Sequence, residues 1–122
     1  MFDSNNKPKG IKRIILAGEN SFRAFNWLIK NESAFRQEIL LLLILIPVTF
    51  CFNINVKEQI FLVVSLLFIV FTEVINTAIE TVVDRVSLDI HPLSGLAKDL
   101  GSAAVLLSLI MAILVWLSIL LC

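Results

Sequence analysis

Glycine is scarce in this chain, and its four positions exclude a good deal. Gly10, Gly18, Gly95 and Gly101 are the complete set. None lies in GxxxxGK[ST] or GxGxxG, so the glycine loops that cradle phosphates at a helix N-terminus are excluded. The HRD and DFG triplets of protein kinases are absent as well. Two cysteines, Cys51 and Cys122, have neither metal-site spacing nor a reason to pair, and read as apolar filler. Residues 1–38 hold no long apolar stretch near the start, so no cleaved signal is expected. Repeats and low-complexity tracts are missing beyond the apolar runs themselves.

Apolar side chains are what the chain has in excess. They form 58% of its 122 residues, against roughly 45–50% in a soluble domain. Two runs, "IFLVVSLLFIVFTEVINTAI" (60–79) and "LGSAAVLLSLIMAILVWLSILLC" (100–122), are near the roughly 20 residues that cross a bilayer core. A third, "ILLLLILIPVTFCFNINV" (39–56), is uncharged but interrupted by Pro47. The expected fold is an all-α membrane protein with three transmembrane helices at 39–56, 60–79 and 100–122, in a single domain over 1–122.

Net charge is zero, but seven of the ten basic residues precede the first span: Lys7, Lys9, Lys12, Arg13, Arg23, Lys30 and Arg36. The link between spans one and two offers only Lys57 and Glu58, whereas Arg85 and Lys98 stand in the next one. Basic excess marks the cytoplasmic side, which puts the N-terminus and the second link inside.

Residues 11–31 set Ile11, Ile14, Ile15, Gly18, Phe22, Phe25 and Ile29 three and four apart, with Lys12, Glu19, Arg23, Asn26 and Lys30 on another face. That pattern predicts an amphipathic helix able to lie in the headgroup layer. In "NESAFRQE" (31–38), Glu32 and Arg36 can pair if the segment is helical. Residues 52–59 form the outer link, and 83–99 the inner one, where Pro92 and Gly95 are expected to break the helix. Ala104, Ser108 and Ala112 repeat at four, a small-residue ridge for close helix approach. Three spans leave little room for a buried polar site, so association of protomers is expected.

The second span carries "EVINTAIETVVDR" (73–85). At 100° per residue, Asn76 lies about 60° from Glu73, and Glu80 and Asp84 lie about 20° to either side of it. The four form one polar stripe. An ionisable group within a span costs roughly 2.5–3.5 kcal/mol on insertion scales, so such groups face a bundle interior or a cavity. Counted from Ile60 at about 1.5 Å per residue, Glu73 is roughly 20 Å deep and Glu80 roughly 30 Å, at the cytoplasmic boundary.

Three readings fit the stripe. It can be interhelical hydrogen-bond glue, an ion or proton path, or a site of chemistry at the inner interface. A path would need polar groups at full depth, and residues 60–71 supply only Ser65. Chemistry would use carboxylates as Mg²⁺ ligands beside phosphates and a further carboxylate as a base. His91, the sole histidine, is either a solvated loop residue or a nucleotide contact.

"NESAFRQE", "EVINTAIETVVDR" and "HPLSGLAKDLGSAAVL" (91–106) together resemble the bacterial integral-membrane diacylglycerol kinase family, from about Arg13 to the C-terminus. The E-x-x-N-[ST]-A-[IV]-E core followed by A-K-D carries the likeness. It implies a homotrimer in the bacterial inner membrane, with its active site on the cytoplasmic side, that moves the γ-phosphate of MgATP onto diacylglycerol to give phosphatidate. By position, Glu73 matches the family's proton acceptor, and Glu32 and Glu80 its Mg²⁺ ligands. Asn76 stands within the same motif, and Arg13, Lys98 and Asp99 match nucleotide contacts, as do Asp89 and His91. Ala34, Arg36, Glu38, Ser102 and Trp116 fall near the lipid groove. The likeness departs from the family at Leu16, Glu19 and Asn20 of the surface helix. A related branch resembles undecaprenol kinases, though "AFRQE", "VVDR" and "KDLGSA" look closer to the diacylglycerol branch. Without the resemblance, a small oligomeric transporter or structural subunit is the competing class.

Overall fold

A computed structural model describes residues 9–122 of the chain. Lys7, part of the basic excess read above, lies outside the described residues. Four helices follow in order: α1 (Ile11–Asn31), α2 (Ser33–Thr49), α3 (Val56–Val86) and α4 (Pro92–Leu121). No strand occurs among the described residues, and the all-α expectation stands. The chain groups into two compact units, Met1–Arg36 and Gln37–Cys122.

In the first unit, α1 has the bounds that the periodicity predicts. Gly10 precedes it at φ +68°, a left-handed conformation that glycine adopts without a Cβ penalty. Glu32 ends it in an extended conformation, its N–H bonded to the Leu28 carbonyl. The expected Glu32–Arg36 side-chain pair does not form, because Glu32 is outside both helices. Arg36 instead donates from Nη1 to the Ile29 carbonyl at 2.9 Å, satisfying a helix-end acceptor. Phe25 and Phe35 stack across the bend, with centroids 6.1 Å apart.

The second helix differs from the span expected at 39–56. It starts at Ser33 and stops at Thr49, and Phe50 N–H and Cys51 N–H close a turn onto the Pro47 and Val48 carbonyls at 3.1 and 3.0 Å. Proline removes an intrahelical donor, and the next helix is capped from Asn55. Asn55 Oδ1 accepts from Glu58 N–H at 2.8 Å, while Glu58 Oε1 accepts from Asn55 N–H at 3.2 Å. This reciprocal capping box starts α3 at Val56, four residues before the apolar run.

Helix α3 continues through the whole polar stripe without a break. The inner link is only residues 87–91, shorter than the 83–99 expected. Pro92 does not end a helix but opens one at its first position, where a missing N–H costs nothing. His91 Nδ1 accepts from Leu93 N–H at 3.1 Å as the cap, and Gly95 is helical.

Helices α3 and α4 pack against each other along their lengths. Asp84 meets Lys98, Asn76 meets Gly101, Thr72 meets Ser108 and Ser65 meets Trp116. Numbers fall on one helix as they rise on the other, so the pair is antiparallel. Leu42 of α2 joins Leu66, Ile69 and Ala112 in a shared apolar cluster. The small-residue ridge is divided: Ser108 and Ala112 are buried, while Ala104 is exposed. Ser108 therefore serves contact within the chain. Leu106, Leu107, Ile110, Ile113 and Leu114 stay exposed on α4, an apolar surface far larger than a water-soluble monomer normally shows. Helices α3 and α4 are both long and apolar enough to cross a membrane.

Candidate active site

The stripe on α3 runs from buried to exposed. Glu73 and Asn76 are 7% and 8% exposed, Glu80 is half-buried and Asp84 is open. The helix imposes this order: the upper residues are covered by packing, and the lower ones emerge near the inner link.

Asn76 ties the two levels together. Its Nδ2 donates to Glu80 Oε1 at 3.4 Å, one turn along the helix. Its Oδ1 is buried without a hydrogen-bond partner, as is Thr77 Oγ1. Glu38, at the start of the second unit, brings a half-buried carboxylate close enough to Glu73 for their charges to repel. Its Oε2 also lacks a partner.

At the lower end, Lys98 Nζ donates to Asp84 Oδ1 at 2.8 Å. That bond, and then the charge of Asp84, hold the Lys98 ammonium above its ordinary pKa of 10.5, with a smaller push from Glu80. Asp84, Asp89, His91, Ser94, Gly95 and Lys98 line a cleft of ≈ 200 Å³. The cleft is of mixed charge, with the Lys98 ammonium paired to Asp84 and the Asp89 carboxylate and Ser87 and Ser94 hydroxyls beside it. A second cavity of ≈ 190 Å³ is wholly apolar in character and is lined by Leu41, Leu45, Leu66, Ile69, Leu109, Ala112, Ile113 and Trp116. Trp116 Nε1 donates to Ser65 Oγ at 3.1 Å, which fixes the ring on that wall.

The structure thus brings Glu73, Asn76 and Glu80 onto one face, with Glu38 beside Glu73, and gathers Lys98, Asp89 and His91 around one cleft. Asp99 and Ser102 lie on α4 and are exposed. Arg13, Glu32, Ala34 and Arg36 belong to the first unit, with Arg13 in the first turn of α1 and Glu32 at its C-cap. Arg36 is engaged by the Ile29 carbonyl. Asn20, also on α1, accepts from Arg23 Nη2.

Two participants were not singled out in the sequence reading. Thr72 Oγ1 meets Ser108 Oγ at 2.9 Å, a buried link beside Glu73. Its signal was a hydroxyl residue facing a small-residue ridge, a common helix–helix device in membranes. Gly101 was counted only among the glycines that form no phosphate loop, yet it faces Asn76 directly.

No group of three or more His, Cys, Asp or Glu side chains gathers as a metal site among the described residues. Mg²⁺ bound with nucleotide needs only one or two carboxylates, the rest of its shell being phosphate oxygens and water. Glu80, half-buried and oriented by an amide, fits that requirement.

An apolar antiparallel helix pair, with a carboxylate stripe leading to a cleft of mixed charge, defines a helical membrane protein built for polar chemistry at its interface. The chain matches the prokaryotic diacylglycerol kinase family over residues 19–120, and it belongs to that family. It is 38% identical to the diacylglycerol kinase of Escherichia coli (strain K12) over 111 residues, 91% of each chain. Over 112 residues it is 43% identical to the diacylglycerol kinase of Pseudomonas aeruginosa, covering 92% of this chain and 91% of that one. The Haemophilus influenzae diacylglycerol kinase is 41% identical over 110 residues, 90% of this chain and 93% of its own.

Proposed function

We propose that the protein is an ATP-dependent diacylglycerol kinase that forms phosphatidate at the cytoplasmic face of the bacterial inner membrane. The observation that carries this reading is a buried carboxylate, Glu73, two turns from the half-buried Glu80 on one stripe of an apolar helix. Family membership supplies the reaction.

Glu73 takes the proton from the primary hydroxyl of the lipid. The freed oxygen attacks the γ-phosphorus, and the bond to the bridging oxygen breaks to release ADP. Glu80 and Glu32 hold Mg²⁺, which when bound offsets charge on the phosphates. Asn76 keeps Glu80 oriented. Lys98, Arg13, Asp99, Asp89 and His91 receive the nucleotide, and Ala34, Arg36, Glu38, Ser102 and Trp116 border the lipid. Helix α1 lies along the headgroup layer, and α2, α3 and α4 span the membrane with the N-terminus inside. Exposed apolar faces on α4 support assembly, and a homotrimer is the assembly that the family resemblance implies.

A lipid panel tests the proposal. Purified protein in mixed micelles with labelled ATP and Mg²⁺ should transfer label to diacylglycerol. Transfer to undecaprenol alone would assign the chain to the polyprenol branch, and transfer to neither would favour a transporter or structural subunit.

A further inference from the structure

Four glycines stand in this chain, and only one is crowded. A Cβ placed on Gly10, Gly18 or Gly95 would meet nothing within 4 Å. At Gly101 it would collide with Asn76 Oδ1, and it would stand 3.2 Å from Asn76 Cγ and 3.7 Å from Asn76 Cα. The Asn76 amide therefore occupies the space that any side chain at position 101 would need. Its buried oxygen has no hydrogen-bond partner, so no polar contact with Gly101 explains the approach. What the arrangement secures is the other end of the amide, where Nδ2 reaches Glu80 Oε1 at 3.4 Å.

We propose that Gly101 is a positioning residue: its bare Cα on α4 admits the Asn76 amide in the orientation that holds Glu80 for metal and nucleotide. The inference rests on the reading of Glu80 as a Mg²⁺ ligand, and acts one step behind it. Gly101 touches no substrate. Glycine disfavours a helix interior relative to alanine, and Gly101 is the position where the absence of a side chain has a use. An added methyl group must turn the amide, since it would overlap Asn76 Oδ1 while the Asn76 Cα stays at ordinary contact distance. Turning it withdraws Nδ2 from Glu80, and partners that orient a metal ligand typically govern affinity by about 10–100-fold.

The test is a double-mutant cycle on metal binding. Mn²⁺ is titrated into the full-length protein in detergent with a non-hydrolysable ATP analogue, followed by electron paramagnetic resonance. Gly101→Ala should weaken Mn²⁺ binding by about tenfold, and Asn76→Ala by a similar factor. In the Asn76→Ala background the colliding amide is gone, so adding Gly101→Ala should change nothing further. Gly18→Ala, uncrowded, should bind like wild type.

Wild-type affinity in a folded Gly101→Ala protein would overturn the proposal. So would an equal loss from Gly101→Ala with and without the Asn76 amide, which would mark mere helix packing. If Gly101→Ala does not fold, the pair Asn76→Ala and Asn76→Ala/Gly101→Ala decides: equal affinity supports the contact, and a further loss overturns it. Failure of the wild-type protein to bind Mn²⁺ with the analogue would instead remove the metal-site reading beneath.

Discussion

Replacing Glu73 by glutamine separates proton transfer from nucleotide binding. The side chain keeps its length and its burial at 7% exposure, but loses the ability to accept a proton. General-base catalysis is worth about 10²–10⁴ in rate, or roughly 3–5 kcal/mol of transition-state stabilisation. Glu80 stands seven residues further along an unbroken helix, about 10 Å by helical rise. At that separation effects on independent sites add to within about 0.5 kcal/mol. Nucleotide affinity should therefore change by less than about threefold while kcat falls by at least two decades. Folding should change little, because glutamine matches the shape of glutamate and keeps an oxygen acceptor at the same buried position. The assay is phosphatidate formation in mixed micelles, with ATP-analogue binding and thermal unfolding measured on the same preparation. Full turnover in Glu73→Gln would refute the base assignment. A matching loss of nucleotide affinity would refute the separation of levels along the stripe.

Further outcomes follow from the same geometry. Glu80→Gln should raise the Mg²⁺ concentration for half-maximal activity by about tenfold or more, and an unchanged metal dependence would remove it as a ligand. Ser108 is 0% exposed between α3 and α4, so Ser108→Leu should overpack the contact and lower stability by about 1–3 kcal/mol. Unfolding in mixed micelles with a denaturing detergent reads that loss. Asn55→Ala removes the side-chain acceptor of the capping box at the start of α3, the bond from Glu58 N–H, and should cost about 1 kcal/mol, with the Michaelis constant for ATP unchanged. The Lys98–Asp84 bond raises the lysine pKa above 10.5, so its contribution is complete below that pH and is lost only as pH climbs through the raised value. Measuring the Lys98 ammonium titration by NMR, with Asp84→Asn for comparison, checks the sign.

Much of the architecture could be read from pattern alone. The three-and-four spacing of Ile11 to Ile29 fixed both ends of α1, because an amphipathic stripe ends where its period does. Hydropathy was a poorer guide to ends. Residues 50–55 continue the uncharged run after Pro47, yet they form a turn and a cap, since backbone satisfaction decides where a helix stops. The N-x-x-E spacing of Asn55 and Glu58 was available as the signal for that boundary. Pro92 misled in the opposite sense: a proline inside a helix breaks it, but at the first position it starts one. His91 beside it acts as the cap through Nδ1, a local role that its being the single histidine in the chain did not suggest.

The stripe itself was legible because four polar residues at helical spacing need only one helix to line up. What opposes them on α4 needed the register of two helices. Lys98, Gly101, Ser108 and Trp116 meet Asp84, Asn76, Thr72 and Ser65 in turn, and the five-residue link at 87–91 sets that register. Each level pairs a polar group of α3 with a different device on α4: a cation, a bare Cα, a hydroxyl and an indole. The order follows water access. Among the described residues the ion pair stands at the open end, where Asp84 is exposed, and α4 presents only neutral hydroxyl and indole groups at the deeper contacts with Thr72 and Ser65, where a further charge beside Glu73 would be costly. Asn76 falls at the crossing point between those regimes. An amide there can reach the Glu80 carboxylate below while its own body is accommodated by glycine opposite, so Glu80 is oriented from the buried side by a neutral group.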